Sequence, residues 1–220
     1  KTFDWETSES FTPNADTEGD ANFAVSSDSS YTAFTAMEGG KPAIYLAGRG
    51  RDFVKVLPTD GSDSAYYSHP AFGEAGGRPV LFFTSDREGG EGMLDIWHLD
   101  LETPGKPPVN PGPPVHTPGN EVTPFFRKDI GQLYFASDWH HGFGGYDLFK
   151  SEQTGDKYGV PQNMKKPWNT ASNDLYYSFS KSVRSGTVTS NRPGAVQREN
   201  EGCCNDLWRF DEADFEYTDT

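Results

Sequence analysis

The chain has 220 residues and a formal net charge of −14, with 34% apolar residues, 14% aromatics, 24 glycines and 16 prolines. Such acidity is repelled by phosphate backbones, so nucleic acid is excluded as an expected partner, and no run approaches the length of a membrane-spanning helix. Few stretches carry the 3.6-residue period, and many turns around ring-rich segments point to an all-β protein.

In chain order, Lys1 opens without a charged-then-apolar leader, which predicts either a removed leader or a piece of a longer protein. Residues 1–13, with "TFDWE" (2–6), read as an outer strand or lead-in. The first unit, about 14–58, holds "YTAFTAMEGGKPAIYLAGR" (31–49), a worn version of a pattern that is clear further on. In the second unit, about 59–110, "PVLFFTSDREGGEGMLDIWHLDLE" (79–102) gives an aromatic strand, Ser-Asp, a Gly-rich turn, and Asp followed by apolar and aromatic residues. The third unit, about 111–165, repeats this as "QLYFASDWHHGFGGYDLFKSE" (132–152), and the fourth, about 166–220, as "GTVTSNRPGAVQRENEGCCNDLWRFDE" (186–212). Within the last, the adjacent Cys203 and Cys204 form no CxxC motif and no disulfide framework, and two thiols are expected.

Phe34, Phe83, Phe135 and Val188 stand at matching places, separated by 49, 52 and 53 residues. Phe83 to Asp95 and Phe135 to Asp147 are both 12, whereas Val188 to Asp206 is 18 and contains the insertion "AVQRENEG" (195–202). Asp20, Glu121 and Asp174 each precede their anchor by 14, and Ser64 is expected to take that place in the second unit. A fixed period near fifty with several short strands per period indicates a β-propeller of at least four four-stranded blades. The whole chain, 1–220, is expected to form one domain. Its four anchors should lie on equivalent second strands, and the ring should be completed by terminal strands such as "DFEYT" (214–218) or lack a blade. "GKPPVNPGPPVHTPGN" (105–120) falls inside the period and reads as a stiff outer segment, not a hinge.

The loops after strand two put Asp86, Arg87, Asp138, Trp139, His140, His141, Asn191 and Arg192 on one face. The entry loops add Asp20, Asp63, Asn120, Glu121, Asn173 and Asp174 around the channel mouth. Asp86 and Asp138 after Ser, and Asp95, Asp147 and Asp206 opening strand three, suit turn-making through backbone N–H groups. Trp139, His140 and His141 are not part of the repeat, where Glu88 and Gly89 stand opposite the histidines. With Arg87 and Arg192 they form the expected partner-binding rim. Adjacent histidines tend to point apart, so joint metal ligation is not expected. "GFGGYD" and "GGEGMLD" look like calcium turns but lack the tandem nine-residue spacing. No cofactor is expected, and calcium stays an alternative.

GxSxG, HExxH, P-loop and dinucleotide motifs are absent, and no catalytic residue is assigned. The rival to a binding scaffold is a glycan-binding or glycoside-hydrolysing propeller using Asp20, Glu121 and Asp174 at the channel mouth.

"NEVTPFFRKDIGQLYFASDWHHGFGGYDLF", "VLFFTSDREGGEGMLDIW" and "TSNRPGAVQRENEGCCNDLWRF" together resemble the PD40 (TolB-like) propeller repeats. They are most similar to those of Bacteroidetes envelope proteins that join such a propeller to an OmpA-like domain, including type IX secretion components. The likeness covers residues 14 to 212 and is weakest in the first unit. It implies a non-enzymatic, periplasmic, outer-membrane-associated scaffold that docks envelope or secretion-system proteins. Membrane or peptidoglycan contact would run only through domains that this chain does not contain.

Overall fold

The computed structural model describes residues 22–57, 64–103, 105–195 and 205–211, and among them every named strand is antiparallel to its neighbours and no helix occurs. Blade 1 is β1 (Phe23–Val25), β2 (Tyr31–Glu38), β3 (Lys41–Gly48) and β4 (Val54–Leu57), side by side in chain order. Blade 2 is β5 (Tyr67–Ala75), β6 (Arg78–Ser85) and β7 (Asp95–Asp100), with Val109 bridged to His98 on the outer side. Blade 3 is β8 (Glu121–Arg127), β9 (Gln132–Ser137) and β10 (Asp147–Thr154). Two short strands, β11 (Lys157–Tyr158) and β12 (Gln162–Asn163), pair with the outer edge of β10. Blade 4 is β13 (Asp174–Ser180), β14 (Ser185–Ser190) and β15 (Asp206–Asp211), and the expected outer strand "DFEYT" lies outside the described residues.

The strands follow the two-residue alternation of a sheet buried on both faces. In β9, Leu133 and Phe135 face blade 2, while Tyr134 and Ala136 face blade 4. Three apolar clusters therefore fill the spaces between successive blades. Phe83 and Trp97 pack against Ala33 and Ile44 of blade 1. Phe82 and Ile96 meet Phe126 and Phe135, and Tyr134 and Leu148 meet Tyr177 and Phe210. The anchors Phe34, Phe83, Phe135 and Val188 all sit on second strands and are buried, as the spacing predicts.

Blade 1 departs from its sisters at the connection between strands two and three. Gly39 and Gly40, both at positive φ, turn the chain in two residues where blades 2 and 3 carry a nine-residue loop. No Ser-Asp…Asp motif exists there because there is no loop for it to shape.

The first strands β1, β5, β8 and β13 lie innermost. In three of them the register slips between Ser68 and Ala71, Val122 and Phe125, and Leu175 and Ser178. The partner pairs Tyr67–Ser85, Glu121–Ser137 and Asp174–Ser190 correct one expectation: Tyr67, not Ser64, stands where Glu121 and Asp174 stand. The β5–β6 hairpin has longer strands than β8–β9, so Tyr67 stands 16 residues before Phe83 where Glu121 stands 14 before Phe135.

Candidate functional site

The face of the strand-two loops is built by a repeated hydrogen-bond pattern. Ser85, Ser137 and Ser190 accept from the backbone N–H two residues on, at Arg87 (3.1 Å), Trp139 (3.2 Å) and Arg192 (3.1 Å). The next side chain pins the start of strand one in the same blade. Asp86 accepts from Tyr66 N at 2.6 Å, Asp138 from Asn120 N at 2.7 Å, and Asn191 from Asn173 N at 2.8 Å. The Asp that opens strand three closes the loop. Asp95 Oδ2 accepts from Glu91 N (3.0 Å) and Gly92 N (3.2 Å), and Asp147 Oδ2 from Phe143 N (2.8 Å) and Gly144 N (3.0 Å). Asp206 holds the same register against Ser190, but residues 196–204 of its loop lie outside the described residues.

Three of the residues expected to meet a partner instead turn inward. Arg87 lies over the Trp97 ring at 4.9 Å and Arg192 over Trp208 at 5.4 Å. Arg192 also donates to Ser190 Oγ (3.0 Å), the Pro167 carbonyl (3.0 Å), the Trp168 carbonyl (2.8 Å) and Asp174 (2.7 Å), so its fork is used inside the fold. In blade 3 the ring-covering part falls to His140, 5.0 Å from the Phe149 ring and edge-on to Phe135. Its imidazole pKa is lowered by burial. The cover arrives one residue late, and that shift releases Trp139, which is 58% exposed. His141 is exposed too, with its carbonyl accepting from Asn163.

Glu121 and Asp174 are not at an open channel mouth. Both are fully buried. Glu121 accepts from Thr117 N (3.0 Å), Thr117 Oγ1 (2.5 Å) and Ser137 Oγ (2.9 Å). Asp174 accepts from Thr170 N (2.6 Å), Thr170 Oγ1 (2.9 Å) and Arg192. Lacking an arginine like that of blade 4, the Glu121 carboxyl is pushed up by burial to about 7, against the pull of its Thr117 and Ser137 donors. Asp20 and Asp63, as well as Cys203 and Cys204, lie outside the described residues.

Reading the links only as turns misses a clasp in "HTPGNE" and "NTASND". His116 Nε2 donates to the Ile96 carbonyl at 2.6 Å. Asn169 does the same to Leu148 at 2.8 Å and also accepts from Leu148 N at 2.7 Å. Each link thereby ties strand three of one blade to strand one of the next. Aligning T-x-x-N-acid across the two links would have revealed it.

The clasps bring neighbouring loops together. Met93 N donates to Gly119 O at 3.2 Å, and a Cβ on Gly119 would lie 2.7 Å from that of Trp139. Met93 (72% exposed) and Trp139 thus border the same link, and Phe143 (50% exposed) lies on Trp139's own loop. Among the described residues no three His, Cys, Asp or Glu side chains gather to hold a metal, and no helix is long and apolar enough to cross a membrane.

Neither a protein-family model nor any curated protein matches the sequence. Solved structures do. A putative TolB from Agrobacterium tumefaciens superposes with TM-score 0.58 at 16% identity, over 86% of this chain and 60% of that one. TolB from Acinetobacter baumannii gives 0.54 at 14%, over 87% and 40%. A prolyl oligopeptidase B from Galerina marginata gives 0.54 at 10%, over 88% of this chain and 24% of that one. The chain spans about 60% and 40% of the TolB structures, and what the likeness establishes is the fold: an all-β propeller.

Proposed function

We propose that this chain is a non-enzymatic protein-docking scaffold of the cell envelope, and that its partner sits on the face of the strand-two loops. The observation that carries the reading is Trp139: a large ring, 58% exposed, on a loop held rigid by Ser137, Asp138 and Asp147. Aromatic anchors on rigid supports are what protein interfaces use. Met93, Phe143 and the exposed His141 extend the patch, while Arg87, His140 and Arg192 support it from below.

The finer assignment is to a periplasmic, outer-membrane-associated assembly of the type IX secretion kind, with chain 1–220 as one propeller domain. It rests on the resemblance of "TSNRPG" and "CCNDLW" to Bacteroidetes envelope propellers. Contact with membrane or peptidoglycan is left to other domains. The glycoside-hydrolysing rival needs carboxylates that a sugar can reach, and burial of Glu121 and Asp174 counts against it. Calcium needs oxygen ligands, whereas the turn carboxylates Asp95 and Asp147 each commit Oδ2 to N–H donors of their own loop.

Trp139→Ala should abolish capture of envelope proteins from a periplasmic extract without shifting the melting temperature by more than a degree or two. Ile130→Ala, at the turn on the opposite face, should leave capture intact. The reverse pattern would move the interface to that face.

A further inference from the structure

Among the described residues, the innermost strands leave the propeller axis open. Between β1, β5, β8, β13 and Leu207 they leave an open cavity of about 620 Å³, a size that suits a small ligand. At the same register of three successive strands a residue other than glycine takes the left-handed backbone: His69 (φ 52°), Thr123 (φ 51°) and Tyr176 (φ 51°). Each is strained, and glycine would relieve it. The positions instead carry an imidazole, a hydroxyl and a phenol, all in the cavity lining.

These groups are wired together. The His69 and Tyr176 rings meet edge-on at 5.4 Å, Tyr176 Oη donates to Asn22 at 3.2 Å, and Tyr176 N donates to Thr123 Oγ1 at 3.3 Å. His69 Nδ1 is buried with no hydrogen-bond partner among the described residues, and burial pulls the imidazole down to about 4, leaving it neutral near pH 7. Around this polar ring stand Phe23 (64% exposed), Leu207 (70%) and Tyr176 (38%). No Asp, Glu, Lys or Arg is among the described residues that line it, in a chain of net charge −14.

We propose that this axial cavity binds a short neutral saccharide of one or two rings. A charged ligand would find no countercharge among the described lining residues, and a purely apolar one would leave His69 Nδ1 without a partner. A neutral sugar presents C–H faces to the aromatic walls and hydroxyls to the imidazole, amide and threonine. An added peptide strand is disfavoured, because Pro70 and Pro124 remove ladder donors within the bulges of β5 and β8.

Calorimetric titration of the whole chain tests this with cellobiose, maltose and N,N′-diacetylchitobiose, beside digalacturonate and the blocked peptide acetyl-Gly-Pro-Tyr-amide. At least one neutral disaccharide should saturate the protein one to one. Phe23→Ala, at an exposed position, should weaken it by about fivefold or more, as should Tyr176→Phe, which keeps the ring and loses the bond to Asn22. The proposal falls if none of the three sugars saturates, or if both variants bind like the parent. Preference for digalacturonate, or saturation by the peptide alone, overturns it equally.

Discussion

Arg192 and Trp139 occupy the same place in the repeat and do opposite things. Arg192 gives its donors to Pro167, Trp168, Ser190 and the fully buried Asp174. Removing one partner of a buried pair leaves an uncompensated charge, so Arg192→Ala should cost roughly 3–5 kcal/mol in chemical denaturation. Trp139→Ala should stay within about 0.5 kcal/mol, as surface changes do. Equal losses in the two variants would show that Arg192 does not hold the fold. Glu121, which corresponds to Asp174 but has no arginine, predicts a pH dependence. Its folded value is raised from 4.5 to about 7, so the folded state holds that proton more tightly than the unfolded chain. The associated stability is fully present below the unfolded value and is lost as pH rises through about 7. Melting curves at roughly pH 5 and pH 8 should differ more for the parent than for Glu121→Gln, which cannot ionise. A pH dependence unchanged by the substitution would refute the assignment.

At the scale of elements, the strand-two loops and the links form one collar because glycine lets them touch. A Cβ on Gly92 would stand 2.0 Å from Gly119 O, and one on Gly144 would stand 2.0 Å from Ser172 O. Gly90 and Gly142 are equally barred by the carboxylates of Asp95 and Asp147, at 2.0 Å. The motif is therefore G-x-G-x-x-D, a backbone wrapped around its own carboxylate, and its resemblance to calcium turns follows from the same need for small residues beside an Asp. Gly92→Ala and Gly144→Ala should each destabilise by about 1–3 kcal/mol through overpacking. Gly159→Ala, where the new atom would lie 3.7 Å from Glu152 O, should be near neutral. Urea denaturation of the three variants decides the point, and a tolerated Gly144→Ala would mean that the collar yields.

For the whole molecule, stability resides between the blades and not in a single core. Phe135, fully buried in the cluster shared by blades 2 and 3, should cost about 3–5 kcal/mol as Phe135→Ala. Amides of β6 and β9, strands buried on both faces, should exchange slowest, and those of the short outer strands β11 and β12 fastest. Hydrogen-exchange mass spectrometry reads this directly, and uniform protection across blade 3 would contradict it.

The period near fifty, the four second-strand anchors and the turn roles of Asp86, Asp95, Asp138 and Asp147 were legible in the sequence, because strand alternation and turn chemistry act over a few residues and recur from blade to blade. The destinations of Arg87, His140 and Arg192 were not. An arginine or histidine in an exposed loop reads as available, and only the packed neighbour reveals Trp97, Phe149 or Trp208 beneath it. Glu121 and Asp174 likewise look like rim carboxylates until Thr117 and Thr170, carried by the links, close over them. The axial cavity is the extreme case. Its lining joins Asn22 to Tyr176 across 154 positions of sequence, a separation that the packing of the inner strands brings within 3.2 Å and no local pattern records.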